Sequence, residues 1–489
     1  MKLSNATLND LPEQVERPIY DRSALKPGIV HIGLGNFHRA HQAWYLHKLM
    51  QRGAALDWAI IGAGVRPVDR LQQEKLASQD HLTTLIELDP NGQSAEVIGS
   101  MINFVPVQDG NRPLIAKMSE PAIRIVSLTV TEGGYFIDPN TQELDTSHPH
   151  IRFDTDNPNS PITAFGAIVA ALKYRRENGI GPFTCQSCDN LQGNGDVLRK
   201  TVVSVAKLTD PDLANWIDTN CTFPNAMVDC IVPATGPNEL ALVREIGIDD
   251  AVPVTHENFR QWVIEDKFCA GRPDWDQVGA TFTSDVHSYE TMKIRILNGG
   301  HQIVANVGEL LSEQLISDCM SNPLIRNFFR KVATTEIVPQ VSPVTGMTPK
   351  DYVDLIERRF SNQKIIDTVR RVAFDGSSRH AGFILPILRE RIDAGSSIEG
   401  LALVEAMWAR MCEGCREDGS KIEANDPNWK FLNVTAIAAK DEPMVWLLQL
   451  SQYNGLAANA EFSNSFTKWL EMIWSKGIKF TLNTYLEGN

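Results

Sequence analysis

Across 489 residues the sequence has no uninterrupted apolar run near the roughly 20 residues that cross a bilayer. The stretch from Met1 to Pro18 carries acids but no apolar signal core. Membrane insertion and secretion are therefore not expected, and the cytoplasm is the expected compartment. Cysteine is sparse, with eight residues scattered over a chain long enough to build its core without staples, so free thiols are expected. Two pairs have CxxC spacing, Cys185/Cys188 and Cys412/Cys415, but they lie in opposite halves of the chain, and a structural zinc knot draws its ligands from neighbouring turns. Positive charge is also short: 46 basic against 60 acidic side chains leave a formal charge of -14 with no basic stripe, which argues against a nucleic-acid partner. Internal repeats and low-complexity tracts are absent. What remains, 43% hydrophobic and 22% charged, is a globular chain too long for one core, and two domains are expected.

The first half alternates strand-like and helix-like stretches. Ile29-Val-His-Ile-Gly33-Leu-Gly35 is a β-branched run closed by glycines, and Phe37 to Arg52 follows at helical spacing without proline. Trp58 to Val65, Ile123 to Val130 and Phe183 to Cys188 read as further strands, and Ala164 to Arg176 as a helix. This alternation predicts an α/β, Rossmann-type doubly wound and largely parallel sheet over residues 1–284. Beyond Ser284 strands become scarce, and amphipathic stretches at Glu290 to Leu315, Leu401 to Cys412 and Ser463 to Ser475 predict a mostly α-helical domain over 285–489. Asp154 to Pro161 and Glu417 to Asn428 carry turn chemistry and are expected to be surface loops.

Gly33 and Gly35 after a strand allow backbone amides to approach a pyrophosphate, although His38 stands where the full fingerprint has its third glycine. Asp69 follows the second strand at about the place where a βαβ unit offers an acid to a ribose, which favours NAD. Arg66 and Arg70 flank it and leave NADP open. His38, Arg39 and His41 have no thiolate or carboxylate at ligand spacing. They are read as helix packing, or in Arg39 as a phosphate contact, and no metal is expected.

The densest polar cluster is Glu290-Thr-Met-Lys293-Ile-Arg-Ile-Leu-Asn298-Gly-Gly-His301. At about 100° per residue, with Lys293 at zero, Glu290 falls near 60°, His301 near 80° and Asn298 near 140°, so one arc of an α-helix carries all four. Ile294, Ile296 and Leu297 would bury the remainder, and Gly299 and Gly300 suggest close approach of a ligand or of backbone. A helix break beside a solvated polar face fits the same spacing. Tyr289 and Lys293 also satisfy the YxxxK pair of short-chain dehydrogenases, but the upstream serine and the glycine-rich start of those enzymes are missing.

Six ordered motifs carry a resemblance that runs over nearly the whole chain. They are Gly33 to His41, Thr129-Val-Thr-Glu-Gly-Gly-Tyr135, Ser187-Cys-Asp-Asn-Leu191 with Asn194-Gly195, Pro224-Asn-Ala-Met-Val-Asp229, Gln261-Trp-Val-Ile-Glu-Asp-Lys267, and Lys293 to His301. Together they resemble the polyol-specific long-chain dehydrogenases. The resemblance implies reversible oxidation of a linear sugar alcohol, D-mannitol to D-fructose first among them, with hydride transfer to NAD and no metal.

It also implies a role for each matching residue. Lys293 would be the base, Asn190 and Asn298 would hold the oxyanion, His301 would orient substrate and Glu290 would relay the proton. Asp229 and Arg371 would bind substrate hydroxyls. Gly33, Gly35, Asn36, Phe37, Arg39, Asp69 and Val130 would border the cofactor, and many members are monomers, so a monomer is expected.

Three features depart from the family pattern: Val68 precedes Asp69 where relatives often carry an acid, Arg379 stands for the lysine usual after Asp375-Gly-Ser-Ser378, and Asn298-Gly-Gly-His301 replaces a Gly-Ser form. A guanidinium is larger and forked, so Arg379, at the substrate end, leaves the sugar alcohol open, with arabinitol and sorbitol as alternatives. Hexuronate reductases acting on fructuronate or tagaturonate share the motifs. From a different class, a dinucleotide-binding sensor that lost catalysis is disfavoured by the retention of Lys293, Asn190, Asn298 and His301.

Overall fold

The computed structural model describes residues 1–138 and 141–488. Its contacts divide the chain into two compact units, Met1–His287 and Ser288–Asn489. In the first unit five parallel strands form one sheet: β1 (Pro27–Ile32), β2 (Ala59–Ala63), β3 (Met101–Phe104), β4 (Ile125–Leu128) and β5 (Thr184–Ser187). Their order is β3-β2-β1-β4-β5. Ile29, Val30 and Ile32 of β1 and Ile125, Val126 and Leu128 of β4 are all buried, as expected where helices cover both faces of a parallel sheet and the strands read as continuous apolar runs. The strand order reverses between β1 and β4. An open α/β sheet has its crevice beyond the carboxyl ends of the strands at such a point, and here those ends are Gly33 and Thr129–Val130.

The parallel sheet is not the whole unit. A four-stranded mixed sheet contains the antiparallel hairpin Thr83–Asp89/Gly92–Ile98, flanked by Val15–Glu16 and Val254–Glu257. A three-stranded sheet joins Ala226–Asp229, Gln261–Glu265 and Thr281–Thr283.

The helix expected over Phe37 to Arg52 is in fact two, α1 (Asn36–Ala40) and α2 (Gln42–Gln51), broken at His41 (φ -122°, ψ -97°). The His41 ring is tied to the Gln261 carbonyl through Nε2 at 3.0 Å and stacks on Phe37. The expected loop at Asp154 to Pro161 is also corrected. Asp154 to Asp156 end the helix Pro149–Asp156, and Asp154 is buried because its carboxylate takes the Ile162 and Thr163 amides.

The second unit is helical around one large core that includes Phe328, Phe329, Trp408 and Trp446. Its first helix runs from Val286–Met292 through a π-helical turn, Lys293–Asn298, into Gly299–Leu310. Glu399–Cys412 and Ala460–Lys476 match the two other predicted helices within a few residues.

Among the described residues no helix is long and apolar enough to cross a membrane. All eight cysteines are free thiols.

Candidate active site

In the first unit the turn after β1 is built on Gly33, whose φ of +96° and whose approach to β4 both require glycine: a Cβ there would sit 2.1 Å from the Thr129 carbonyl oxygen. At Gly35 a Cβ would meet nothing within 4 Å, so the turn stands beside open space. Such a cradle, at the switch point of a parallel sheet, fits a dinucleotide.

Asn36 is half-buried and donates to the Pro233 carbonyl (2.9 Å) and Thr235 Oγ1 (2.8 Å), anchoring the turn from the other side. Phe37 is half-buried against His41. For Arg39 the sequence left helix packing or a phosphate contact, and its hydrogen bonds are those of packing. It is buried and donates to the carbonyls of Val252 and Gly35 and to Asn36 Oδ1, and burial pushes its pKa down to about 10.

Asp69 opens α3 (Asp69–Ala77). Its Oδ2 accepts the amides of Val65 (3.1 Å) and Arg66 (2.9 Å), and its Oδ1 faces the Arg66 guanidinium at 3.0 Å. The Val130 amide is held by Asp189 Oδ2 (3.1 Å), and the same carboxylate takes the Thr131 amide (2.8 Å) and the Tyr135 hydroxyl (2.8 Å). Asp189 thus fixes the loop after β4, a role the sequence reading missed. Its signal was present as the acid directly before Asn190 in the Ser187-Cys-Asp-Asn motif. Asn190 is exposed just past the carboxyl end of β5, while Asp229 is buried at the end of Ala226–Asp229. Asn194 ties the segment after β5 to the start of the Ala226–Asp229 strand, donating to the carbonyls of Asp189 (3.0 Å) and Ala226 (2.7 Å).

In the second unit Lys293 and Glu290 are buried, while Asn298 and His301 are half-buried. The expectation of one regular α-helix through these residues is corrected by the π-helical turn, in which the Gly299 amide reaches back five residues to the Ile294 carbonyl. A π-turn is about one residue wider than an α-turn, so residues five apart share a side. Lys293 and Asn298 are five apart, so the wider turn leaves a smaller angle between them around the axis than an α-helix would.

His301 is held by a face-to-face stack on Phe360 (centroids 4.3 Å apart, 15°), another contact that the sequence did not reveal. The close approach anticipated at the glycine pair belongs to packing: a Cβ at Gly300 would meet Phe329 Cε2 at 2.7 Å, and one at Gly299 would make only ordinary contacts. Arg371 is exposed, with its guanidinium on Asp367 (Nε 2.8 Å, Nη2 2.7 Å), and Arg379 donates to the Val372 carbonyl at 2.6 Å. Asp426 takes the Ser377 amide (2.8 Å) and hydroxyl (2.9 Å) and so anchors the Asp375-Gly-Ser-Ser378 segment. Among the described residues no three His, Cys, Asp or Glu side chains gather where they could hold one metal ion.

A nucleotide-type parallel sheet with a glycine cradle, followed by a helical unit whose first helix carries lysine, amide and imidazole, describes an oxidoreductase with a Rossmann-type domain. Comparison with known proteins agrees. A family model described as the mannitol dehydrogenase Rossmann domain matches residues 27–277, and one described as the mannitol dehydrogenase C-terminal domain matches residues 285–474. The chain belongs to the mannitol dehydrogenase family.

A mannitol 2-dehydrogenase of Cereibacter sphaeroides is 52% identical over 476 residues, covering 97% of this chain and 100% of that one. A mannitol 2-dehydrogenase of Pyricularia oryzae is 39% identical, covering 99% of each. Among solved structures, Pseudomonas fluorescens mannitol 2-dehydrogenase, in a ternary complex with NAD and D-mannitol, superposes with a TM-score of 0.88 at 41% identity over 100% of both chains. A substrate-free D-sorbitol dehydrogenase superposes with a TM-score of 0.91 at 33% identity, covering 99% of this chain and 100% of that one. The resemblance and the fold class expected from the sequence are both borne out.

Proposed function

We propose that this chain is a polyol dehydrogenase that oxidises D-mannitol reversibly to D-fructose with NAD, without a metal and with Lys293 as the general base. The observation that carries this reading is the Lys293–Asn298 π-turn in a chain 52% identical to a mannitol 2-dehydrogenase. Bound NAD would supply the hydride acceptor, C4 of the nicotinamide. Gly33, Gly35, Asn36, Phe37, Asp69 and Val130 are the residues proposed to hold it.

The chain's own part is the proton. Removing a hydride from the carbinol carbon leaves a carbonyl only if the hydroxyl proton departs, and Lys293 Nζ takes it. The uncharged amine is the form able to accept it, and the side chain is buried. Asn298 donates to the oxygen as negative charge develops there, which is where a positioned donor lowers the barrier. Asn190 has the same role in this proposal, His301 orients the substrate, Glu290 passes the proton on to water, and Asp229, Arg371 and Arg379 bind the hydroxyls. The pairing of Arg371 with Asp367 supports a neutral polyol over a hexuronate, because that guanidinium is already neutralised. Asp69 supports NAD, with NADP as the competing cofactor because Arg66 lies on the same carboxylate.

A spectrophotometric screen of mannitol, sorbitol, arabinitol, fructose and fructuronate with both nicotinamide cofactors tests the substrate, and insensitivity to chelators tests metal independence. Lys293→Ala is expected to lose at least a thousandfold in kcat and to regain part of it with added primary amines. A variant within tenfold of the native rate at neutral pH would refute the lysine base.

A further inference from the structure

The glycine turn of the first unit stands at the end of a buried hydrogen-bonded chain that the proposed reaction does not use. The Gly33 carbonyl accepts the Gly35 amide at 2.9 Å and, from the side, the Thr129 hydroxyl at 2.6 Å. His31 of β1 lies behind Thr129, with Nε2 at 3.0 Å from Thr129 Oγ1 and Nδ1 at 2.8 Å from Ser127 Oγ. Ser127 in turn meets the carboxamide of Gln42 at 2.8 Å, and Gln42 meets that of Gln186 at 3.2 Å. His31, Ser127, Gln42 and Gln186 are buried, and the five side chains link β1, β4, β5 and α2.

The protons of this chain can run in only one sense. Thr129 gives its single hydroxyl proton to Gly33, so His31 Nε2 must donate to Thr129. Burial pushes the His31 pKa down to about 3, so the ring is neutral and its Nδ1 is an acceptor that receives the Ser127 proton. Ser127 then has none left for Gln42, which must present its Nε2 to Ser127 and its Oε1 to Gln186. The opposite setting, with Ser127 donating to Gln42 Oε1 and Gln42 Nε2 to Gln186 Oε1, needs a doubly protonated imidazole and leaves Gln186 Nε2 without an acceptor. Turning both amides over keeps the imidazole neutral and lets Gln186 Nε2 donate to Gln42 Oε1, which leaves Gln186 Oε1 rather than its Nε2 in the unbonded position, and the two ends of an amide differ only by the bonds they make. His38 agrees with a neutral ring. It stacks on His31 with centroids 3.4 Å apart (16°), and burial together with the neighbouring basic groups holds it well below the usual imidazole range.

We propose that this one-way relay, Gln186 to Gln42 to Ser127 to His31 to Thr129 to the Gly33 carbonyl, is a positioning device that sets cofactor affinity. The turn it serves has two glycines within three residues, so it loses much conformational freedom on binding unless something fixes it beforehand. Thr129 and His31 are positioning residues that act through the Gly33 carbonyl. The inference rests on the reading that Gly33–Gly35 cradles NAD.

The test is NADH binding by fluorescence titration, alongside steady-state kinetics and thermal unfolding, on native protein and on Thr129→Val, Thr129→Ser and Ser127→Ala. Native protein that bound neither NADH nor NADPH would refute the cofactor reading, and the relay with it, before any variant is compared. Given native binding, Thr129→Val is expected to raise the NADH Kd and the KM for NAD about tenfold, with kcat within twofold and an unchanged pH profile. Thr129→Ser, which restores the donor, should return within twofold of native. Ser127→Ala, two links back, should raise Kd about threefold and serves alone if Thr129→Val does not fold. Unchanged Kd in folded variants, even with a lowered melting temperature, would make the chain merely structural and overturn the proposal. So would a fall in kcat without a change in Kd.

Discussion

The turn-closing role of Asp69 and its proposed role in cofactor choice can be separated by experiment, because its structural contacts and its charge call on different properties of the side chain. Its Oδ2 closes the turn between β2 and α3 by accepting two backbone amides, and its Oδ1 faces Arg66. Asp69→Ala removes both amide acceptors, a loss comparable to that of a helix cap, about 1 kcal/mol. The ion pair adds little, since Arg66 is 73% exposed. For a unit of this size the melting temperature should fall by about 2–4 °C. Asp69→Asn keeps an acceptor oxygen for the amides and should unfold within about 1 °C of native.

The cofactor effect follows the charge. A 2′-phosphate held about 6 Å from the carboxylate at near-aqueous screening is repelled by about 1 kcal/mol, and neutralising Asp69 also frees the Arg66 guanidinium to face the phosphate. Asp69→Asn should therefore raise kcat/KM for NADP relative to NAD roughly 10- to 30-fold. The assay is a matched pair of cofactor titrations at saturating mannitol on native, Asn and Ala proteins. An NADP/NAD ratio in Asp69→Asn within threefold of native would reduce Asp69 to a turn-closing acid and remove it from the cofactor site.

Two further predictions concern the second unit. Gly300→Ala should gain about 1 kcal/mol of helix propensity but lose about 1–3 kcal/mol by overpacking against the buried Phe329 ring, so a lower urea midpoint is expected and a higher one would refute the packing role. Burial pushes Glu336 from 4.5 up to about 7, against the opposing pull of the Gly400 and Leu401 amides (2.6 and 2.9 Å). Its folded pKa exceeds its unfolded one, so its stabilising share is full below about pH 4.5 and is lost as pH rises through about 7, a difference of about 3 kcal/mol. Glu336→Gln should flatten urea stability between pH 5 and 8, and parallel native and variant profiles would refute this.

The parallel sheet was legible in the sequence because its strands are buried on both faces and therefore read as short, mostly apolar β-branched runs. Ile29 to Ile32 and Ile125 to Leu128 announce themselves in this way, each broken by one buried polar residue, His31 and Ser127. The hairpin Thr83–Asp89/Gly92–Ile98 did not, because part of its second strand is polar and exposed at Gln93 and Ser94 and no long apolar run marks it. Its signal was the Asp89-Pro-Asn-Gly92 turn between two short alternating stretches. The break at His41 was hidden for another reason. Nothing in Phe37 to Arg52 disfavours a helix locally, and the residue at the break is bonded to Gln261, more than two hundred residues later.

The polar cluster proposed as catalytic shows how far spacing can be carried. Residue types alone picked out Glu290, Lys293, Asn298 and His301, but at α-helical pitch Asn298 falls about 140° from Lys293, too far round for both to meet one oxygen. The π-turn eases that conflict by widening a single turn at the residues concerned, which narrows the angle between positions 293 and 298 around the axis. No residue in Ile294-Arg-Ile-Leu297 marks such a turn, and of the two glycines that seemed to mark a ligand Gly300 instead makes room for Phe329. The polar face is therefore set by backbone hydrogen bonding, which the tertiary packing of Ile296 and Leu297 holds in place, rather than by a local sequence signal.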